Sequence, residues 1–231
     1  GWCTGSLINN TSLDCTPYVL TAMHCAETSS TSDLNSSIAY FNYQRPNCGS
    51  GIASASQSMT GMTRRADSND GGGNSGPDYL LMEMNNSIPT AYNVFYNGWS
   101  NSTANATSGV SVHHPAGDEK KISTFTSSLS ASGWGTGGTH WRVIWAGTAN
   151  GHGVTEGGSS GSPIFNQNGQ IVGQLTGGGS FCSQVPSPSP DYYGRMSINW
   201  NTGPKNPGDA LKLWLDPTNS GVTTLDGTFV P

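Results

Sequence analysis

Three polar side chains stand at the edges of apolar or glycine-rich runs, and together they could carry out nucleophilic catalysis. Ser160 lies in a Gly-Gly-Ser-Ser-Gly-Ser-Pro run, His24 ends one short apolar run, and Asp78 directly precedes another. A hydroxyl at a sharp turn, a histidine base and a carboxylate that orients the base form a hydrolytic triad. The chain order His, Asp, Ser is one of the known orders of that triad.

The glycines around Ser160 favour this chemistry because glycine reaches positive φ at low cost, which a sharp turn requires. Backbone N–H groups in such a turn can converge on the oxyanion of an acyl-transfer intermediate. An ordinary Gly/Ser loop is the competing interpretation, since the chain holds 32 Gly in 231 residues. Ser162 is a rival nucleophile two residues later. Glu83 is a rival carboxylate, but inside its predicted strand it is expected to face solvent.

Four further histidines compete with His24 for the role of the base. His113 and His114 precede a proline at a predicted strand end, and we interpret them as structural. His140 and His152 lie in polar, glycine-rich surroundings, where we expect exposed side chains. His24 therefore remains the candidate base.

Longer motifs extend along nearly the whole chain, from residue 3 to about residue 227. They are Cys-Thr-Gly-Ser-Leu at 3–7, Leu-Thr-Ala at 20–22, His-Cys at 24–25, Asn-Tyr-Gln at 42–44, Val-His-His-Pro at 112–115, Val-Thr-Glu at 154–156, Gly-Gln-Leu at 173–175, Tyr-Gly-Arg at 193–195 and Trp-Leu-Asp-Pro at 214–217. With the serine run, they resemble the bacterial lysyl endopeptidases, a secreted branch of the trypsin-like serine proteases.

The resemblance implies a catalytic role for His24, Asp78 and Ser160, with an oxyanion hole formed by the N–H groups of Gly158 and Ser160. Ser159 stands where most trypsin-like enzymes have an aspartate that pairs with the new N-terminus after zymogen cleavage. The resemblance therefore implies that activation by that ion pair does not operate here.

The resemblance also places substrate-binding residues. Asp191 matches the family aspartate that binds the ammonium group of a substrate lysine, and a loop aspartate is the alternative. Trp134 matches a tryptophan beside that pocket, and Thr176 stands where the family has a histidine stacked on it. The glycine at Gly177 would leave its backbone free to pair with an extended substrate. The threonine leaves open how strictly lysine is preferred over arginine.

The implied function is a secreted, bacterial, extracellular serine endopeptidase that cuts on the carboxyl side of Lys, with Arg as a further candidate. A protease of another primary specificity is one alternative. An inactive trypsin-fold module for binding or adhesion is another. Its partners are expected to be protein or peptide substrates, and the protein is expected to be a monomer.

Composition argues against several other classes. The formal net charge is −5 and basic runs reach two residues, which argues against a nucleic-acid surface. Apolar runs fall well short of the roughly 20 residues that a membrane helix needs. The cysteines form no C-x-x-C pair, so zinc is not expected, and no cofactor is implied.

The five cysteines indicate an oxidising compartment. The resemblance implies a Cys3–Cys25 disulfide beside the histidine. Cys48 and Cys182 match family cysteines whose partners lie in an N-terminal segment, and Cys15, without a counterpart, could pair with Cys48. We expect about 25–35 residues before Gly1, in keeping with the odd cysteine count.

Many short β-like runs between turn clusters predict an all-β protein. The expected strands are 4–8, 18–21, 37–43, 79–84, 91–95, 110–113, 121–126, 140–145, 163–165, 171–176 and 193–197. The one convincing helix covers 207–215. The polar segment 64–76 is expected to be a solvated loop, with calcium binding by Asp67, Asn69 and Asp70 as an alternative whose spacing does not fit an EF-hand.

The resemblance implies a single domain of two six-stranded antiparallel barrels with the active site between them. The first barrel would cover residues 1–104, without its opening strands, and the second 105–206. A short C-terminal helix and tail would cover 207–231.

Overall fold

A computed structural model describes residues 1–201 and 207–229 of the chain. Its strands are β1 (Ser6–Leu7), β2 (Tyr18–Ala22), β3 (Ile38–Tyr40), β4 (Ser58–Thr60), β5 (Met62–Asp67), β6 (Tyr79–Met84), β7 (Phe95–Tyr96), β8 (Trp99–Ser100), β9 (Gly109–His113), β10 (Lys121–Phe125), β11 (Ser130–Ser132), β12 (His140–Val143), β13 (Gly147–Thr148), β14 (Gly151–His152), β15 (Pro163–Phe165), β16 (Ile171–Gly178), β17 (Asp191–Arg195), β18 (Thr224–Leu225) and β19 (Thr228–Phe229). The helices are α1 (Thr31–Ser36), α2 (Met196–Asn201) and α3 (Lys212–Leu215), with 3₁₀ turns at Met23–Cys25, Thr90–Tyr92, Pro115–Gly117, Cys182–Gln184 and Pro207–Asp209. None of the helices in the described ranges is long and apolar enough to span a bilayer.

Two sheets contain most of these strands, and the all-β prediction is confirmed. The first sheet has the order β1-β2-β6-β5, and all of its pairs are antiparallel. The second has the order β10-β9-β15-β16-β17-β12-β11, with β8 joining β16 in parallel and β18 joining β8. Closure into two six-stranded barrels and the division at residues 104 and 105 stay predictions.

A buried apolar cluster joins the two sheets. It includes Leu20 and Leu81 of the first sheet, Trp99 and Ile171 of the second, and Trp200 of α2. Burial of this many large side chains is the main favourable term in folding. The cluster therefore packs the two sheets against each other.

The pairing of β2 with β6 brings the first two candidate residues together. Both are central strands of their sheet, and Ala22 at the end of β2 pairs with Tyr79 at the start of β6. His24 follows β2 and Asp78 precedes β6, so the antiparallel register sets them side by side. The Met23 N–H also donates to Asp78 O at 2.9 Å.

The pairing of β15, β16 and β17 connects the serine turn with Asp191. The serine turn leads directly into β15, which pairs with β16 at Pro163 and Gln174. The far end of β16 pairs with the start of β17, where Gly178 lies opposite Asp191. One central strand thus connects the serine turn with the candidate substrate pocket.

The prediction that 64–76 is a solvated loop is wrong for its first residues. Residues 62–67 form the edge strand β5, paired with β6. Its polar side chains are held by ion pairs, Arg64 with Asp67 and Arg65 with Glu83, each at 2.7 Å. A polar edge strand lacks the alternation of apolar and polar residues by which strands are recognised.

Three helices and two 3₁₀ turns also differ from the predictions. Helix α1 was not predicted, although Ser30 and Asp33 form a reciprocal capping box at its start. The strand predicted at 193–197 ends at Arg195, where α2 begins. Residues 90–92 form a 3₁₀ turn where a strand was expected, and the helix predicted at 207–215 is a 3₁₀ turn followed by the four-residue α3.

Candidate active site

His24 is bound to Asp78 through both carboxylate oxygens. The His24 Nδ1 atom lies 2.7 Å from Asp78 Oδ2, and the His24 backbone N–H donates to Oδ1 at 2.9 Å. Asp78 is fully buried, whereas the His24 side chain is 31% exposed. Because the hydrogen bond to Asp78 favours the charged imidazole, it raises the pKa of His24 above the usual 6.5, against an opposing effect of burial.

Asp70 holds the backbone that carries Asp78. Its Oδ2 accepts from the Asp78 N–H at 2.7 Å and its Oδ1 from the Gly73 N–H at 2.9 Å. Asp78 itself has φ of +60°, a conformation that non-glycine residues seldom adopt. The buried carboxylate at Asp70 therefore offsets a strained backbone at the candidate site.

The calcium alternative finds no support in these contacts. Asp67 pairs with Arg64 and accepts from the Asn69 N–H at 2.8 Å, while Asp70 binds backbone amides. In the described residues, one group of three or more close His, Cys, Asp or Glu side chains could hold a metal, and it consists of Cys3, His24 and Cys25. The two sulfur atoms of this group are joined to each other in a disulfide and are not free to bind a metal.

The serine turn is attached to both sheets. Ser160 O accepts from the Thr4 N–H, and the Gly161 N–H donates to Leu175 O, each at 2.8 Å. Gly161 has φ of +82°, and a Cβ there would collide with Thr21 and Thr4. The Ser160 hydroxyl makes no hydrogen bond to any described residue, His24 included. Catalytic hydrogen bonds of this kind often form fully only with substrate bound.

The turn leaves two backbone N–H groups available. Gly158 has φ of +95°, and a Cβ there would lie 2.8 Å from Ala116 N. The intervening Ser159 N–H is used by Glu156 O at 3.0 Å. Within residues 1–201 and 207–229, the N–H groups of Gly158 and Ser160 have no backbone acceptor. Two such donors flanking a serine can receive an oxyanion.

The predicted disulfide joins the N-terminal segment, whose Thr4 N–H donates to Ser160 O, to the 3₁₀ turn that contains His24. Cys3 and Cys25 are bonded at 2.02 Å. Cys15, Cys48 and Cys182 are free, so the pairing of Cys15 with Cys48 that the sequence left open does not form.

Asp191 is a fully buried carboxylate surrounded by neutral donors. Its Oδ2 accepts from Trp145 Nε1, Thr155 Oγ1 and Ser180 Oγ, each at 2.6 Å, and its Oδ1 accepts from the Ser180 N–H at 3.1 Å. No Lys, Arg or His among the described residues forms an ion pair with it. A buried carboxylate without a cationic partner is a candidate site for a cationic ligand.

Trp134 lies against the end of strand β16. A Cβ on Gly177 would lie 3.1 Å from Trp134, and one on Gly73 would lie 3.0 Å from Thr176 Cγ2 and 3.3 Å from Trp134 Cδ1. The Trp134 side chain is 45% exposed and contacts Tyr192 edge-to-face at 5.8 Å. Glycine at 177 thus allows the indole to lie directly against the strand.

The prediction that His140 is exposed is wrong. Its side chain is fully buried, with Nδ1 2.8 Å from Thr139 Oγ1 and Nε2 2.9 Å from Thr176 Oγ1. The Thr139 hydroxyl donates to Thr136 O, so it accepts from Nδ1–H and leaves Nε2 to accept from Thr176. Burial lowers the pKa of His140 to about 4. The Thr176 hydroxyl is thereby turned toward His140, and its methyl group faces Gly73.

The structure places His24 against Asp78 and Trp134 against Gly177, and it adds groups that the sequence did not indicate. The additions are Asp70 behind Asp78, His140 behind Thr176, and the donors Trp145, Thr155 and Ser180 around Asp191. Thr155 lies in the Val-Thr-Glu motif at 154–156, so the sequence could have indicated this residue. The others act through contacts between distant segments, for which the sequence carries no local pattern.

A family model described as the lysyl endopeptidase C-terminal domain matches residues 1–194 of the chain. The chain belongs to this lysyl endopeptidase family. The lysyl endopeptidase of Pseudomonas aeruginosa is 33% identical over 205 residues, which cover 84% of this chain and 41% of that protein. The chain thus spans about two fifths of the length of the curated relative it matches.

Two solved structures share the fold of this lysyl endopeptidase family member. A Glu endopeptidase in complex with MPD aligns with a TM-score of 0.53 and 18% identity, covering 84% of this chain and 79% of its own. The thermostable serine protease AL20 from an extremophilic microorganism aligns with a TM-score of 0.55 and 14% identity, covering 84% and 83%. At these identities the likeness describes architecture alone.

Proposed function

We propose that the protein is a secreted serine endopeptidase that hydrolyses peptide bonds on the carboxyl side of lysine through an acyl-enzyme. Ser160 is the nucleophile, His24 the general base and acid, and Asp78 the residue that orients His24. Protein and peptide chains are the substrates. Family membership and the His24–Asp78 pair support the mechanism, and the disulfide fits an extracellular, oxidising location.

The proposed reaction uses one proton carrier in both halves. His24 Nε2 takes the proton of the Ser160 hydroxyl as Oγ attacks the scissile carbonyl carbon. The N–H groups of Gly158 and Ser160 donate to the oxyanion, and His24 then protonates the leaving amine. Water, deprotonated by His24, hydrolyses the acyl-enzyme and restores Ser160. Asp78 holds the Nδ1–H tautomer and stabilises the imidazolium that forms twice.

The observation that carries the specificity is the buried Asp191 carboxylate without a cationic partner. Four neutral hydrogen bonds fix its position but leave its charge uncompensated among the described residues. A substrate ammonium would provide the missing charge in a site shielded from water, where a charge-assisted hydrogen bond is strong. Trp134 and Gly177 would hold the aliphatic stem and the backbone of the substrate.

Cleavage after arginine as well is the second candidate, and Thr176 favours it. Its methyl group faces Gly73, which also lies against Trp134, and the family pattern has a larger histidine at this position. Because threonine is smaller than histidine, it leaves more room for the planar guanidinium, which is bulkier than an ammonium. The Asp191 carboxylate would serve both cations.

The cleavage-site profile of the full secreted protein on a denatured protein mixture tests these proposals, with Ser160→Ala as the matched control. Cuts after Lys alone, absent in the control, support the proposed specificity. Cuts after Lys and Arg support the broader enzyme. Cuts after other residues exclude the role of Asp191. A folded protein that makes no cuts would instead favour a binding or adhesion module.

A further inference from the structure

The side chain of Ser159, next to the proposed nucleophile, is fully buried and hydrogen-bonded within the second sheet. Its hydroxyl oxygen lies 2.8 Å from His113 Nδ1 and accepts from the Glu156 N–H at 3.3 Å. Its backbone O accepts from the Ser162 N–H at 2.9 Å. Ser159 therefore joins the serine turn to the end of strand β9.

His113 is the other half of this attachment. It is 1% exposed, and its Nε2 lies 3.0 Å from Ser123 Oγ on strand β10. The Ser123 hydroxyl donates to Val154 O at 3.0 Å, so it accepts from His113 Nε2–H. Nδ1 then carries no proton and accepts from the Ser159 hydroxyl. The ordered chain of donors from Ser159 through His113 and Ser123 to Val154 defines a single tautomer of a neutral histidine.

The charges around His113 leave this arrangement undisturbed. His114 and Lys121 disfavour a charged His113 and Glu156 favours it, but burial has the largest effect and lowers the pKa of His113 to about 4. Lys121 is itself paired with Asp118 and Glu119. Near neutral pH the attachment is therefore a set of neutral hydrogen bonds.

We propose that His113, held by Ser123, is a positioning residue for the oxyanion hole. It fixes the Ser159 side chain, and with it the two peptide groups on either side, so that the N–H groups of Gly158 and Ser160 point toward the same place. This inference rests on the serine endopeptidase function proposed above. His113 touches neither substrate nor Ser160 Oγ, and it acts through Ser159.

The need for such an attachment follows from the sequence of the turn. Glycines at 157, 158 and 161 leave its backbone with a wide choice of conformations, and Gly158 and Gly161 both use positive φ. A preorganised oxyanion hole requires these peptide groups to be fixed before the reaction. The buried Ser159 hydroxyl supplies the required restraint with no charged group.

Three variants test the proposal: Ser159→Ala removes the hydroxyl, His113→Leu removes both ring nitrogens, and His113→Asn keeps an acceptor near Ser159. Each is assayed for kcat and KM, and for inhibition by a peptide aldehyde and by the alcohol of the same peptide. The aldehyde forms a tetrahedral adduct whose oxygen enters the oxyanion hole, whereas the alcohol forms none. The peptide carries the P1 residue found in the cleavage profile.

The proposal expects Ser159→Ala and His113→Leu to lose roughly ten- to hundredfold in kcat, since removal of a whole oxyanion donor costs about 10²–10³. Aldehyde affinity should fall in parallel, while KM and alcohol affinity stay within about twofold. His113→Asn should recover part of the loss. Equal losses of aldehyde and alcohol affinity, or unchanged kcat in both variants, would overturn the inference.

Thermal unfolding of each variant separates this result from loss of the fold. If His113→Leu does not fold, Ser159→Ala decides, because it removes one oxygen atom at a buried position. Reaction of the unmodified protein with a fluorophosphonate probe, compared with Ser160→Ala, is measured first. Lack of reaction overturns the proposed function and this inference together. Normal reaction, combined with unchanged kcat and aldehyde affinity in the variants, overturns the inference alone.

Discussion

Asp78 binds His24 twice, through Nδ1 and through the backbone N–H, and uses a different carboxylate oxygen for each bond. A carboxylate that accepts from both groups fixes the ring orientation as well as the tautomer. The register of β2 and β6 and the buried Asp70 hold Asp78 in turn. The orientation of the proposed base is thus determined by the first sheet.

Asp78→Asn is expected to reduce kcat by about 10⁴-fold while the fold is retained. The amide oxygen can still accept from the His24 backbone N–H, but the amide NH₂ in place of Asp78 Oδ2 donates to Nδ1 instead of accepting from it. This favours the tautomer with the proton on Nε2, which cannot take a proton from Ser160. Steady-state kinetics of the purified variant measure the loss. Glu83→Gln is the matched control, because Glu83 is a carboxylate on strand β6 that pairs with Arg65. A comparable loss in the control would contradict the assignment.

The acid limb of kcat/KM is expected above pH 6.5, the ordinary pKa of histidine, because Asp78 raises the pKa of His24. The base must be neutral to accept a proton, so activity rises as pH increases through that raised pKa. NMR titration of His24 in Ser160→Ala measures it without turnover. Adding Asp78→Asn removes the largest cause of the shift, so the midpoint should move to lower pH. An unchanged midpoint would show that Asp78 does not control His24.

Much of the site could be predicted from sequence, because its central elements are local. His24 and Asp78 stand at the ends of continuous apolar runs, which form the central strands β2 and β6, buried on both faces. Ser160 stands in a glycine run whose positive φ angles the structure shows at Gly158 and Gly161. Each of these signals depends on adjacent residues alone.

The supporting groups could not be predicted, because their roles come from contacts across the chain. Asp70 lies in a polar run that is typical of a solvated loop, yet it is buried against Asp78. His140 follows a glycine-rich turn, yet it is buried and hydrogen-bonded to Thr176, 36 residues away. Such positions are set by packing of the two sheets, and residue type alone predicts the opposite exposure.

The protein is expected to lose stability in mild acid through its buried neutral histidines. Burial lowers the pKa values of His113 and His140 to about 4, whereas both titrate near 6.5 when unfolded. Between those pH values the unfolded state binds more protons, so stability rises with pH and falls on acidification, by up to about 3 kcal/mol per histidine. Tm measured across pH 7 to 4 should fall less steeply in His140→Gln than in His152→Gln. Equal slopes would contradict this account.

The Cys3–Cys25 disulfide is expected to support both stability and activity, because it joins the two segments on which the proposed triad depends. Cys25 follows His24, and Cys3 precedes Thr4, whose N–H donates to Ser160 O. Cross-linking residues 22 positions apart should contribute about 3 kcal/mol. In a chain of this size that corresponds to a Tm decrease of roughly 6–12 °C in the Cys3→Ser/Cys25→Ser variant. Cys48, one of two exposed free cysteines, gives the control, since Cys48→Ser removes a thiol without removing a cross-link. A reductant should lower the Tm of the unmodified protein and of Cys48→Ser but leave the double variant unchanged. If instead the double variant retains the Tm and kcat/KM of the unmodified protein, the disulfide does not support the site.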